Sequence, residues 1–401
     1  MLATHSILVV LGLAVLAPLL AELPIGVRVP VVVLEVVLGI LIGPHVLGLI
    51  RLDGSLLADF LSVMFLIGMA GTLFMAGMEI DFAQVRGRPS SLALRGWLAS
   101  IGLALAVVAL LHFIPHVKAP GMVAIALTTT GLGALLPILR DGEQLETPFG
   151  RHVLAAGTIG EVGPIVAVSL LLSSRYSTVQ EFGFLLALLL LVALAVAIGL
   201  GARPPRLIAL LGRTLQSSTQ LPVRLALFVF ALFVSVSIEF GFEGILGAFA
   251  AGMIIGLATR GEAGKPFRVK MDAIVFGWFT PFFFIGTGMQ FNLGALAHDA
   301  TTMLLVPAFL VILLLVRGLP VLLYRNDVAK PQWLPFALSI STPSLGLIVV
   351  ITQIGSRAKD MNPDVAVALV GAALLSLLVY PMVAGVLMAR TASTARGPDL
   401  A

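Results

Sequence analysis

Long apolar runs alternate with short polar stretches along the whole chain. The runs fall at 5–21, 29–50, 55–78, 90–114, 119–139, 149–173, 181–201, 221–239, 243–259, 271–291, 297–323, 331–356 and 362–389. Each is bounded by charges, Pro or Gly, and each is near the ~20 residues with which a helix crosses the hydrocarbon of a bilayer. The pattern predicts thirteen spanning helices joined by short loops, with no extramembrane domain. The first run has no basic flank and no cleavage site after it, so it reads as a span and not a signal peptide.

Three departures from uniform apolarity stand out. The sixth run, Phe149 to Ser173, carries one acid, Glu161, near its middle. As a helix it is about 37 Å long, which puts Glu161 close to the bilayer midplane. An acid there costs ~2.5–3.5 kcal/mol on insertion scales, so it faces a cavity or a partner. It marks an ion or proton path, or it is a protonated side chain bonded to a neighbouring helix. The fifth and twelfth runs contain Thr128-Thr-Thr-Gly-Leu-Gly133 and Ser341-Thr-Pro-Ser-Leu-Gly346, hydroxyl-rich hexamers that align without a gap. They lie seven helices apart, an odd number, so the copies run in opposite directions: the trace of an inverted-topology repeat with two broken helices. Half-helix ends at the midplane need compensating charge, which Glu161 supplies. The plainer alternative is that these hydroxyls bond back to carbonyls of their own helices.

Arg317 lies in the eleventh run, about two turns from its inner end. It either snorkels to the interface, or it balances negative half-helix ends or pairs with Glu161 when no ion is bound. Glu35, in the second run, has no broken partner and reads first as a structural hydrogen bonder. His152, at the inner end of the sixth run, reads as interfacial.

Composition fits an all-α polytopic membrane protein: 59% hydrophobic residues, 11% charged and a mean hydropathy of +1.11 exclude a soluble globule. There is no cysteine, hence no disulfide, thiolate metal site or cysteine nucleophile. Of the 24 Lys and Arg, 18 fall in loops on one side, five on the other, and the last is Arg317. The positive-inside rule then puts the N-terminus outside and the C-terminus inside. Basic residues scattered between apolar runs make no nucleic-acid surface. HExxH, GxGxxG before a soluble βαβ unit, Walker and nucleophile-elbow motifs are absent, which points to a transporter without a cofactor and away from an enzyme.

Gly39-Ile-Leu-Ile-Gly-Pro-His-Val-Leu-Gly-Leu-Ile50, Phe65-Leu-Ile-Gly68 with Gly77-Met-Glu-Ile-Asp81, Leu246-Gly-Ala-Phe-Ala-Ala-Gly-Met-Ile-Ile-Gly256 and Pro281-Phe-Phe-Phe-Ile-Gly-Thr-Gly-Met289 follow in this order. They resemble the signature stretches of bacterial monovalent cation:proton antiporters, the superfamily of sodium/hydrogen and Kef-type potassium/proton exchangers. The resemblance covers nearly the whole chain. It implies a homodimer in the bacterial cytoplasmic membrane, with dimer or scaffold helices in 1–80 and 181–291. Core helices would lie in 90–173 and 297–390, with helices 5 and 12 crossing at the ion site. It also implies exchange of Na⁺ or K⁺ for H⁺. Glu161 matches the family's acid on the sixth helix, while Gly160 stands where the first member of an acid or amide–acid pair is usual. Arg317 matches the basic residue of the eleventh helix, and Thr128 to Thr130 match the Thr-rich break. The resemblance does not extend to the cytoplasmic nucleotide-binding module of Kef-type members.

On this basis Glu161 holds either a proton or an alkali cation, and burial against Arg317 tunes the competition. Thr129, Thr130, Ser341 and Thr342 are the expected oxygen ligands, with Thr128, Ser344 and Glu35 as secondary candidates and Arg317 as the compensating charge. One carboxylate trades one proton for one cation, so exchange is expected to be electroneutral. A carrier of organic anions or other solutes on the same fold, or a cation channel, is the alternative.

Overall fold

The computed structural model describes residues 2–23, 29–50, 56–79, 87–111, 120–132, 135, 139, 144–145, 147–172, 213–239, 244–291, 300–357 and 361–395. Every regular element among them is helical: α1 (Leu2–Ala21), α2 (Val31–Ile42), α3 (Leu56–Glu79), α4 (Arg88–Leu111), α5 (Pro120–Leu127), α6 (Pro148–Leu172), α7 (Leu221–Glu239), α8 (Gly244–Ala258), α9 (Lys265–Ile274), α10 (Thr280–Gln290), α11 (Ala300–Gly318), α12 (Trp333–Ile340), α13 (Leu345–Arg357) and α14 (Pro363–Ala395). A π-helical turn, Val275–Phe279, joins α9 to α10, and a 3-10 segment, Leu319–Tyr324, continues α11. Among the described residues six helices are long and apolar enough to span a membrane, or seven if α12 and α13, bent by 43°, form one span. The expected run at 181–201 lies outside them.

Two expected boundaries move. The second run ends as a helix at Ile42, because Gly43 turns extended and Pro44 has no N–H to continue the ladder. The chain folds back instead, with Leu47 N–H on the Leu41 carbonyl at 3.1 Å and Gly48 in the left-handed region at φ 61°. The tenth run starts earlier, at Lys265, since polar residues there extend the helix before the apolar stretch.

The chain divides into two compact units. Unit 1 comprises 1–14, 51–81 and 169–286. In it α8 packs against both α3 and α7. The approach is backbone to backbone: a methyl group at Gly252 would lie 2.0 Å from the Phe74 carbonyl oxygen, and one at Gly247 2.1 Å from that of Phe233. Small residues allow this contact, which in lipid takes the place of hydrophobic drive.

Unit 2 comprises 15–50, 82–168 and 287–401. Here α14 packs on α11, α12 and α13, while α4 packs on α5, on α11 and on the 3-10 segment. An aromatic cluster sits at one end. Phe149 meets Phe336 edge-on at 5.8 Å, and Phe336 meets Tyr324 at 4.7 Å. Beside it Arg88, the first residue of α4, grips Asp327 through two hydrogen bonds of 2.6 and 3.0 Å. The hydrogen bond from Arg88 holds the Asp327 carboxyl below the usual carboxylate range.

Candidate functional site

The site grows from two helix breaks in unit 2. α5 stops at Leu127 and the chain leaves the helix over Thr128 to Gly131; α12 stops at Ile340 and α13 restarts at Leu345, with Pro343 in the gap. Broken backbone deep in a membrane protein has to satisfy its polar groups internally. It does so by pairing the breaks. Gly131 N–H donates to the Thr342 carbonyl at 2.9 Å, and Thr130 N–H donates to the Gly160 carbonyl of α6 at 2.9 Å. Contact is tight, since a methyl group at Gly131 would stand 2.8 Å from the Pro343 carbonyl oxygen.

The hydroxyls divide by what they do with their one proton. Thr128 donates to the Ile125 carbonyl at 2.8 Å, Thr129 to that of Ala126 at 2.9 Å and Thr342 to that of Leu338 at 3.2 Å. These are the bonds back to their own helices that the sequence left open as an alternative. They do not disqualify the three as cation ligands, because a hydroxyl that donates still offers two lone pairs. Thr130 differs. Its Oγ1 donates to the Ile340 carbonyl at 2.6 Å and accepts Arg317 Nε at 2.9 Å and Nη2 at 2.6 Å. Both lone pairs are occupied in this arrangement, and Thr130 ties the break after α5 to α11 and α12. Ser341, fully buried, has no hydrogen-bond partner for its Oγ.

Glu161 lies on α6 with 4% of its surface exposed. Ser344, in the second break, donates to its Oε1 over a long 3.4 Å. That bond joins the central acid to the twelfth-run hexamer and raises Ser344 from a secondary candidate to a neighbour of the carboxyl.

Arg317 is 2% exposed and turned inward. Besides its two bonds to Thr130, it donates through Nη1 to Ser100 Oγ at 3.3 Å and through Nη2 to the Ala156 carbonyl at 3.2 Å. Four guanidinium bonds, to α4, to the break after α5 and to α6, leave no room for snorkelling. The charge sits beside the C-terminal ends of α5 and α12, where carbonyl dipoles concentrate negative potential.

Glu35 is buried on α2, 4% exposed. His152 is 6% exposed, its Nδ1 lies 2.7 Å from the Pro148 carbonyl, and its ring meets Tyr324 edge-on at 5.8 Å.

Ser100 and the Ala156 carbonyl were missed from sequence. Ser100 also donates to the Gly96 carbonyl of its own helix at 3.0 Å, the habit of any packing serine in an apolar span, so nothing local marked it. Gly160 takes on a new meaning as well, since a methyl group there would lie 2.7 Å from Arg317 Nη2 and 2.7 Å from Thr130 Oγ1.

The family model described as "Sodium/hydrogen exchanger, transmembrane" matches residues 11–390. YjbQ of Bacillus subtilis is 24% identical over 94% of this chain, which spans 62% of that protein's length. Cation/H(+) antiporter 15 of Arabidopsis thaliana is 23% identical over 87% of this chain, which spans 44% of it. The Na(+)/H(+)-K(+) antiporter GerN of Bacillus cereus is 24% identical over 90% of this chain and 91% of its own. Among solved structures, that of the sodium proton antiporter MjNhaP1 from Methanocaldococcus jannaschii superposes with a TM-score of 0.63 at 18% identity, covering 97% of this chain and 99% of that one. At that identity the likeness is one of fold.

Proposed function

This chain belongs to the sodium/hydrogen exchanger family, and from that premise we propose that it exchanges a monovalent cation, Na⁺ or K⁺, for H⁺ across the bacterial cytoplasmic membrane through Glu161. One observation carries the reading: a buried acid on α6 tied by Ser344 to the crossing of two broken helices. A proton and an alkali cation compete for that carboxyl, and only the loaded form crosses the barrier, because an unpaired buried charge is costly to move. Thr128, Thr129, Ser341 and Thr342 offer the hard oxygens that such a cation prefers, while Arg317 balances the negative half-helix ends. The two halves of the crossing are read as an inverted repeat. Scaffold helices lie in 1–80 and 181–291 and core helices in 90–173 and 297–390, the unit works as a homodimer, and the N-terminus faces outward.

Purified protein in liposomes with a trapped pH dye tests the exchange. Na⁺, K⁺ and Li⁺ are added in turn against an imposed pH gradient. At least one should collapse the gradient, and Glu161→Gln should abolish the response while inserting normally. Exchange by Glu161→Gln at the wild-type rate would remove Glu161 from the mechanism.

A further inference from the structure

Gly160 lies mid-helix on α6, where glycine weakens a helix relative to alanine. Its contacts account for it. Gly160 and Ala156 stand four residues apart on one face of α6, and Arg317 Nη2 donates to the Ala156 carbonyl on that face at 3.2 Å. In a helix the side chain four residues on stands over such a carbonyl and would shield it. The Gly160 carbonyl is taken too, by Thr130 N–H at 2.9 Å. With the methyl-to-Nη2 separation at 2.7 Å, even alanine would meet the guanidinium. On the far side Ser100 Oγ, fully buried, accepts Nη1 at 3.3 Å and so closes the seat from α4.

We propose that Gly160 and Ser100 are positioning residues for Arg317: the bare face at position 160 is a seat, one residue from the exchange carboxyl, in which Ser100, Thr130 and the Ala156 carbonyl hold the guanidinium. The inference rests on the reading of Glu161 as the exchange site. Its consequence is that the charge on α11 is fixed to α6, the helix that carries Glu161, so the field at the carboxyl stays constant as the core works. Dislodging the guanidinium weakens a cation that favours the charged carboxylate. The balance between proton and cation at the carboxyl then changes, and with it the pH profile of exchange.

The test is a double-mutant cycle on the whole protein, with melting in detergent and Na⁺-driven exchange in liposomes as separate readouts. Gly160→Ala should lower the melting temperature, cut exchange at least tenfold and shift the pH profile. Arg317→Lys removes the planar fork, so adding Gly160→Ala to it should cost clearly less in both readouts than in the wild type, the remainder coming from the contact with Thr130 at 2.7 Å. Ser100→Ala should move the profile the same way without any clash, and Ser100→Thr, which keeps the acceptor, should restore it. A Gly160→Ala effect of equal size in the Arg and Lys backgrounds would overturn the seat, as would a raised melting temperature, the usual result of alanine in an unencumbered helix. Should Gly160→Ala fail to insert, the two Ser100 variants decide: identical profiles for Ala and Thr would sink the proposal. If wild-type protein moves no cation, the exchange reading fails, while the melting cycle still reads the seat.

Discussion

Thr129 and Thr130 are neighbours, both fully buried, yet they fail differently when the hydroxyl is removed. Thr129→Val loses one bond to a carbonyl of its own helix and should lower stability by about 1 kcal/mol or less. Thr130→Val strands two guanidinium N–H groups and the Ile340 carbonyl, and the loss should reach about 3–5 kcal/mol, as when a buried charge loses its partner. Thermal unfolding of the two variants in detergent gives the comparison; equal losses would contradict the division of roles. Arg317→Ala should destabilise by a similar amount and shift the pH optimum, read by melting and by exchange against pH. At this scale the sequence was informative about types and silent about faces. A lone acid in an apolar run and hydroxyls beside Gly and Pro are visible in one dimension. That Thr130 looks toward Arg317 and Thr129 does not depends on a rotation at the end of α5, which no spacing encodes.

For the elements, the breaks are the testable feature. Gly131→Ala places a methyl group 2.8 Å from a backbone oxygen that has no flexible side chain to swing away, so the crossing must open. A loss of about 1–3 kcal/mol is expected, together with impaired exchange. Gly102 in α4 has nothing within 4 Å of such a methyl group, and Gly102→Ala should stabilise by about 0.5–1 kcal/mol. Melting of the two single variants checks the contrast. A second element-level tie is Arg88 to Asp327, which binds the start of α4 to the turn after α11. Since the folded Asp327 carboxyl titrates below its ordinary value, its contribution is complete above about pH 4 and disappears as pH falls through the lower folded value. Asp327→Asn should therefore lower melting at pH 7 and close the gap to wild type in strong acid. The breaks were legible because Gly, Pro and hydroxyls interrupt apolar runs at both places. The end of α2 was legible only in part: Gly43-Pro44 sits inside a run whose hydropathy continues to Ile50, and length in hydropathy overrode a local stop. The π-helical turn left no trace, because Val275–Phe279 reads as one apolar stretch with the Thr280–Gln290 helix that follows it.

At the scale of the whole molecule, a single exchanging carboxyl makes a statement about charge. One monovalent cation for one proton moves none, so the final cation gradient in liposomes should not respond to an imposed potential. A potential of 100 mV is worth ~2.3 kcal/mol per charge moved, and one uncompensated charge per cycle would shift the gradient well over tenfold. A gradient that followed the potential would bring Glu35, buried on α2, forward as a second acid. The disposal of protons at the crossing has a further consequence. Thr128, Thr129, Thr130 and Thr342 aim their O–H groups at carbonyls, and the Arg317 fork is engaged by Thr130, Ser100 and Ala156. Among the described side chains, a visiting halide or carboxylate would therefore be met mainly by lone pairs, with the Ser341 hydroxyl as a donor left to greet it. The crossing reads the sign of a solute before its size, and chloride or acetate flux through the protein should be indistinguishable from that of empty liposomes.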